Sequence, residues 1–278
     1  MIQPELKAYR RCSDRHVLVL ETNLTYVEKC QIFHYADLVR KAGNELTGIM
    51  KKRYDQLVRT KRYRKLKSLY KRYKDADNKK ALKDVCDQMK EMQKQYDVTW
   101  DYCRTSMIPI GKKYGIDAVF ALTKAEDVFR GIEKCLYSDG ETVHFKKRGD
   151  LPCIRAKQIN RGIIMKQMNF KFKNIEFGVN IKDHYEQEEV DAILYYLKHA
   201  EFMDSIAANT YKETDICVST YRPCYVSLVC KKIRGKLRVY VHITIEGLSK
   251  PKQDRFGNMK HNKGKGIVGC DIGTQTIA

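Results

Sequence analysis

The pattern of apolar and polar positions changes twice along the chain. Residues 14–26 hold a continuous apolar run at 17–20, which predicts a short buried strand. From Thr25 onward, apolar residues recur at steps of three and four, which predicts one amphipathic helix or two. The residues that follow this spacing are Ile32, Tyr35, Leu38, Val39, Ala42, Leu46, Ile49 and Met50.

The helical pattern continues through the first half of the chain. Residues 79–104 and 118–132 repeat the helical spacing. Pro109 and the glycines of residues 111–115 lie between them and predict a break, because proline removes a helical donor and glycine favours turns.

From Lys134 the pattern becomes that of β-strands. Asp139-Gly140 predicts a hairpin turn between two short strands, and residues 168–181 alternate apolar and polar side chains. The clearest strand is 236–247, which should pair with 224–231 across a turn that contains Gly235. A helix is predicted at 185–204. The apolar face of the clearest strand consists of Leu237, Val239, Val241, Ile243 and Ile245.

The net charge of the chain restricts the possible functions more than its length does. The 278 residues include 54 Lys and Arg against 34 Asp and Glu, a formal net charge of +20, which predicts a polyanionic partner. No apolar run reaches 18 residues and the N-terminus lacks a signal-peptide pattern. We therefore expect no membrane partner and a cytoplasmic, nucleoid-associated location.

The ten cysteines are scattered, and no two form a C-x-x-C pair. This spacing argues against a zinc site, and we expect neither zinc nor disulfides. Reduced thiols that pack as small apolar residues are the expectation.

Residues 51–74 form the most charged stretch, with twelve Lys or Arg and one acid. A solvated helix face is one interpretation, but such a face normally mixes signs, because like charges four residues apart repel. Pairs such as Lys61/Lys65 and Lys67/Lys71 lack local acids, and phosphates would offset their repulsion. Four interleaved tyrosines could stack on bases, although two of them fit a core. The predicted phosphate-binding residues here are Arg59, Lys61, Arg62, Arg64, Lys65 and Lys67.

A second basic cluster, Lys146, Lys147 and Arg148, precedes Gly149. It fits either an exposed turn or the rim of an OB-like barrel that contacts a nucleic-acid backbone. Lys157 is assigned to the same nucleic-acid-binding role.

The last residues, VGCDIGTQTIA, place Asp271 in an apolar strand before a Gly-Thr turn. A buried Asp before a tight turn is one interpretation. A second is the phosphate-binding hairpin that opens sugar-kinase, actin and Hsp70-type ATPases. A third is the first strand of an RNase H-like nuclease, whose Asp holds Mg²⁺. The long basic region before this strand favours the nuclease.

Several segments resemble the TnpB-like proteins, transposon-encoded RNA-guided endonucleases that are relatives of type V CRISPR effectors and are often labelled transposases. GKGIVGCDIGTQTIA resembles their first RuvC motif, with Cys270 where Ile is common, and residues 135–163 resemble their wedge segment. KAGNELTGIMKKRYDQL resembles the first recognition-lobe helix, where an Asn often stands, here Asn44. YRPCYVSLVCKK and LRVYVHITIEG resemble the final wedge hairpin.

The resemblance implies an α+β fold: an OB-like wedge β-barrel interrupted by a helical recognition lobe, then the start of a RuvC domain. The implied segments are wedge at 1–26 and 133–247, recognition lobe at 27–132, basic linker at 248–265 and RuvC at 266–278. It also implies binding of guide RNA and target DNA. Asp271 would be a catalytic, Mg²⁺-binding carboxylate, and the family's other two carboxylates lie further downstream. The expectation is therefore an incomplete nuclease that cannot hold Mg²⁺ alone, because one carboxylate does not suffice.

Two other functions stay open. A stand-alone nucleic-acid-binding regulator would use the same basic residues without cleavage. An ATPase-type fold would instead use the Asp-x-Gly-Thr turn to bind nucleotide.

Overall fold

The computed structural model describes residues 15–138, 140, 142–157, 160–166, 169–180 and 221–247. This part of the chain has an α+β architecture. Strand β1 comes first and is followed by five helices before the remaining strands. Their bounds are β1 Arg15–Thr22, α1 Tyr26–Arg59, α2 Lys61–Asp75, α3 Lys79–Gln95, α4 Trp100–Lys113 and α5 Ala118–Tyr137.

The later strands, together with β1, build two antiparallel sheets. They are β2 Ile154–Arg155, β3 Ile163–Lys166, β4 Asn169–Phe172, β5 Ile175–Phe177, β6 Val179–Asn180, β7 Tyr221–Ile233 and β8 Lys236–Gly247. One sheet has five strands in the order β2-β7-β8-β1-β6, and the other has three in the order β3-β4-β5. Within the described ranges these sheets do not close into a barrel, so the fold expectation holds at the level of α+β.

Helix α1 is a single helix of 34 residues rather than two. It begins with a capping box in which Thr25 Oγ1 accepts from the Glu28 N–H and the Glu28 carboxylate accepts from the Thr25 N–H. Thr60 ends α1 and also begins α2, because its hydroxyl accepts from the Tyr63 N–H at 3.3 Å. The residues of α1 predicted to be apolar face the core, among them Ile32, Val39, Ala42, Leu46 and Met50.

In the sequence, the five helices lie between β1 and the other strands of the larger sheet. β1 pairs with β8 in antiparallel register, with Leu20 opposite Val241, although all five helices lie between the two strands in sequence. The prediction that β1 is buried was half right. Leu20 is buried, whereas Val17 and Val19 on the opposite face are 51% and 46% exposed, because only one face of this strand meets the core.

The β7–β8 hairpin confirms the predicted pairing and turn. Ile233 pairs with Lys236, and the two turn residues Arg234 and Gly235 have φ values of 49° and 79°. Positive φ at both positions is the geometry of a type I′ turn, which explains the glycine. Val239, Val241 and Ile243 are fully buried, as the alternation predicted, whereas Leu237 at the start of β8 is only partly buried.

The predicted break before α5 is present but begins later than Pro109. Pro109 lies inside α4, because buried Met107 and Ile110 hold this helix against the core, and the chain turns after Lys113, where Gly115 has a φ of 62°. The hairpin predicted around Asp139-Gly140 is absent among the described residues. Helix α5 continues to Tyr137, since Cys135 and Leu136 are buried on it, and residues 142–147 are irregular.

Three predicted features lie outside the described residues: the helix at 185–204, the linker at 248–265 and Asp271 with the strand around it.

Candidate nucleic-acid interface

The end of α1 and the whole of α2 carry a row of exposed cations, which we call the basic ridge. Five of the six phosphate-binding residues predicted here belong to it, and none is buried. The ridge consists of Arg59, Lys61, Arg62, Arg64, Lys65, Lys71, Arg72 and Lys74.

Helix α2 presents the ridge because its other face is held by the core. Tyr63 and Leu66 are buried, and Leu69 and Tyr70 pack against the same core one turn later. Their spacing of three and four residues forms one stripe of the helix, which turns the intervening cations outward. Helix α3 packs against α2 and completes this helical hairpin.

The ridge has no local counter-charge. Over the described residues, none of its cations lies within ion-pair distance of a carboxylate, and the first turn of α2 contains no acid. Cations at a helix N-terminus oppose the helix dipole. Helix α3 differs, because its Lys90 and Lys94 lie 3.4 Å and 3.8 Å from Asp87 and Glu91. Positive charge on the ridge is therefore available to an external anion.

Lys67, the sixth predicted residue, makes an internal contact instead. Its Nζ donates to the Cys135 carbonyl oxygen at 2.7 Å, near the C-terminus of α5. The Tyr54 hydroxyl donates to the same oxygen at 3.3 Å. Burial, with Lys71 nearby, lowers the pKa of Lys67 from its usual value. Lys67 therefore satisfies a helix-terminal carbonyl, a structural role that the sequence did not reveal.

The four interleaved tyrosines do not form a stacking surface. Tyr54 and Tyr63 are buried, as expected for two of the four. Tyr70 packs edge-on against Tyr137, with ring centroids 5.9 Å apart, and Tyr73 is half-buried. Phosphate contact, rather than base stacking, is the chemistry that this face offers.

The predicted cluster Lys146, Lys147 and Arg148 is fully exposed on an irregular segment, not on a barrel rim. Asn44 of α1 fixes this segment: its side-chain Nδ2 donates to the Lys146 carbonyl and its Oδ1 accepts from the Lys146 N–H, both at 2.9 Å. The Arg40 guanidinium adds a 3.3 Å bond to the same carbonyl. The sequence marked Asn44 only through the family resemblance.

The structure does not bring the two basic clusters together. Fifteen residues of α1 separate Asn44 from Arg59, which is roughly 22 Å along the helix axis at 1.5 Å per residue. A single short ligand cannot span both, whereas a strand of several nucleotides can.

Beside the second cluster lies a cavity of about 920 Å³, lined by α1, α5 and residues 140, 142–144, 146 and 150–153. Lys124 of α5 lines it and is only 8% exposed. The sequence analysis missed this lysine. The sequence feature that indicates its burial is its position on the apolar stripe of α5. It lies three residues after Ala121 and four before Val128, both of which are buried.

Lys157 lies in a mixed-charge cluster. Its Nζ is 2.9 Å from a Glu126 carboxylate oxygen and 6.0 Å from the Trp100 ring centroid. Arg155 beside it is 3.0 Å from Asp127. Lys157 is thus already partnered, and its assignment to nucleic acid stays a prediction.

Metal and thiol chemistry are limited in the described ranges. No group of three or more His, Cys, Asp or Glu side chains there has the geometry to hold a metal ion. The seven cysteines described are free thiols, and burial raises the pKa of Cys103 and Cys230 to about 12. Cys103 and Cys230 pack in the core as small apolar side chains, as predicted.

None of the five described helices combines the length and apolar character that crossing a membrane requires. No protein-family model matches the chain, and no curated protein matches its sequence.

Proposed function

We propose that this chain binds RNA and DNA through the basic ridge, as the N-terminal part of a TnpB-like RNA-guided DNA endonuclease. One observation carries the proposal: eight exposed cations follow one another along α1 and α2 without an acid to pair them. Such an arrangement costs folding free energy through repulsion. Nucleic-acid phosphates would neutralise it and release counterions.

The order of elements supports the proposed wedge and recognition lobe. Strand β1 pairs with β8, while helices α1–α5 are inserted between them in sequence. A β-unit interrupted by a helical lobe has this connectivity. In the proposal the ridge lies on the lobe, where guide RNA would contact it, and the sheet belongs to an OB-like wedge.

Asp271 is the proposed metal-binding carboxylate of the nuclease domain. In that domain Mg²⁺ would stabilise the charge that develops during phosphodiester hydrolysis. Asp271 lies outside the described residues, and we derive no catalytic step from it.

The ridge equally supports a second candidate, a protein that occupies nucleic acid without cleaving it. Phosphate contacts position a nucleic acid but carry no chemistry of their own. Because this chain by itself is expected not to cleave DNA, binding separates the two candidates. Retention of a duplex DNA only when the bound RNA is complementary to one of its strands indicates the RNA-guided protein, and retention that does not depend on the RNA sequence indicates the second candidate. Mg²⁺-dependent cleavage that is lost in Asp271→Ala would contradict the expectation that the chain is catalytically incomplete.

Equilibrium binding tests the proposal itself. A labelled single-stranded RNA and a duplex DNA are titrated with the wild-type chain and with Lys61→Gln/Lys65→Gln. A matched control is Lys90→Gln/Lys94→Gln, which removes two exposed lysines at the same spacing from a helix where each has an acidic partner. We expect the ridge variant to bind about tenfold more weakly. Equal losses in the two variants would show that the ridge has no specific role.

A further inference from the structure

The cavity beside Lys146 has the features of a ligand site. Its volume of about 920 Å³ falls within the range of roughly 300–1,000 Å³ that small-ligand pockets occupy. Three lysines from two parts of the chain line it: Lys124 and Lys134 of α5 and Lys146 of the irregular segment. Ridge cations do not contribute to it, so it is a separate feature of the surface.

Lys124 is the unusual member of this set. Its side chain is more than nine-tenths buried, and no hydrogen bond or ion pair to its ammonium group is found among the described residues. The Nζ is not one of the fully buried polar atoms, so it keeps contact with the open space of the cavity. A charge that has lost most of its water and has no partner is costly. Burial, opposed by Asp127 and reinforced by Lys146 and Arg155, lowers the pKa of Lys124.

Two neighbours on α1 build this part of the cavity. Gly43 leaves room for Lys124, because a Cβ at that position would overlap the Lys124 Cε. The next residue, Asn44, holds the backbone of Lys146. Consecutive positions of α1 therefore place two lysines at the same cavity.

The charge of the cavity lining is positive overall. Lys124, Lys134 and Lys146 stand against Asp127 and Asp150. Asp127 is already 3.0 Å from the Arg155 guanidinium, which offsets its charge. An anionic group in the cavity would supply the partner that the Lys124 ammonium lacks among the described residues.

We propose that this cavity holds the phosphate group of a nucleotide, with Lys124 as its principal cation. The inference rests on the proposed function, in that the nucleotide is expected to belong to the bound RNA strand. A free nucleotide offers the same phosphate, and the experiment below distinguishes the two sources.

Pyridoxal 5′-phosphate tests the site directly, because it combines a phosphate with an aldehyde. The aldehyde condenses with a neutral amine and releases water, and borohydride then reduces the imine to a stable secondary amine. Mass spectrometry of the labelled wild-type chain locates the modified lysines. We expect Lys124 to be labelled several times more than Lys112, an exposed lysine of α4, because Lys124 lines a cavity with Lys134 and Lys146 and has a lowered pKa.

Protection by ligands identifies the source of the phosphate. Labelling is repeated with single-stranded RNA or with AMP, and RNA binding is measured in the same samples. Protection by RNA supports a strand nucleotide, and protection by AMP alone supports a free one. Labelling of Lys124 no stronger than that of Lys112, or unchanged by both ligands, overturns the proposal. If RNA binds without protecting Lys124, the cavity proposal fails while the ridge proposal stands.

Discussion

Asn44 and Lys146, 102 positions apart in the chain, are joined by two hydrogen bonds of 2.9 Å. The side-chain amide of Asn44 satisfies both backbone polar groups of Lys146, as a neighbouring strand would. This pairing ties an irregular, strongly basic segment to the longest helix. It also sets the position of one wall of the cavity that contains Lys124.

Asn44→Asp should loosen this segment. The carboxylate keeps an acceptor for the Lys146 N–H but loses the donor, and its charge faces the Lys146 carbonyl. We expect the free energy of unfolding to fall by about 1 kcal/mol. Hydrogen exchange at the Lys146 amide should accelerate. The control is Gln56→Glu, the same amide-to-acid change at an exposed position of α1. Equal exchange in the two variants would contradict the pairing.

Lys67 and Lys71 should respond in opposite ways to substitution by methionine. Lys67→Met removes the donor to the Cys135 carbonyl and should lower the free energy of unfolding by about 1 kcal/mol. Its effect on RNA affinity should stay within about twofold. Lys71→Met removes an exposed ridge cation, so affinity should fall and stability should not. Urea unfolding and RNA titration of both variants check this crossed pattern, and a larger affinity loss in Lys67→Met would refute it.

Tyr63→Phe should leave the protein as stable as the wild type or raise its free energy of unfolding by about 1 kcal/mol. The Tyr63 hydroxyl is buried beside the Gln93 side chain, which is bonded to Tyr137 and leaves the Tyr63 hydroxyl without a well-formed hydrogen bond among the described residues. Tyr137→Phe is the contrast, because the Tyr137 hydroxyl exchanges hydrogen bonds with Gln93 at 2.8 Å and 3.0 Å. Thermal unfolding separates the two variants. RNA affinity should not change in Tyr63→Phe, and a clear loss would revive base stacking by this ring.

Lys124 should make stability depend on pH in the alkaline range. Its pKa is lowered in the folded chain, so the unfolded chain binds more protons between that lowered pKa and the usual 10.5. The contribution of Lys124 to the free energy of unfolding therefore rises with pH between these two pKa values. Lys124→Met should not show this rise, and it should be at least as stable as the wild type at pH 7.

Urea unfolding at about pH 7 and about pH 10 measures this effect. The stability of the wild type relative to Lys124→Met should rise between the two pH values. A constant difference for Lys124→Met would show that burial does not perturb this lysine.

The elements with strong periodicity were predictable from the sequence. Alternation on β8 identified its buried face, and the helical spacing after Thr25 identified the core positions of α1. Local signals failed where tertiary packing opposed them. Pro109 stays within α4 because its neighbours Met107 and Ile110 are buried. The Asp139-Gly140 signal likewise did not outweigh the burial of Cys135 and Leu136 on α5.

The candidate interface was only partly visible in the sequence. The run of cations in residues 51–74 is visible in the sequence, and the exposed ridge was predicted from it. The internal partner of a cation is not visible in this way, because Lys67 donates to the Cys135 carbonyl oxygen, 68 positions away. The cavity required three distant segments, and one of its determinants is the lack of a side chain at Gly43. Such features depend on packing, which local sequence does not encode.

The salt dependence of RNA binding tests the central claim most directly. The logarithm of the association constant of the wild-type chain for single-stranded RNA should fall linearly with the logarithm of the salt concentration. The magnitude of the slope should be about 0.7 per neutralised phosphate. Lys61→Gln/Lys65→Gln should reduce that slope by about 1.4, because two phosphate contacts are lost. Lys90→Gln/Lys94→Gln should leave the slope close to that of the wild type. A slope that is the same in all three proteins would contradict phosphate binding by the basic ridge.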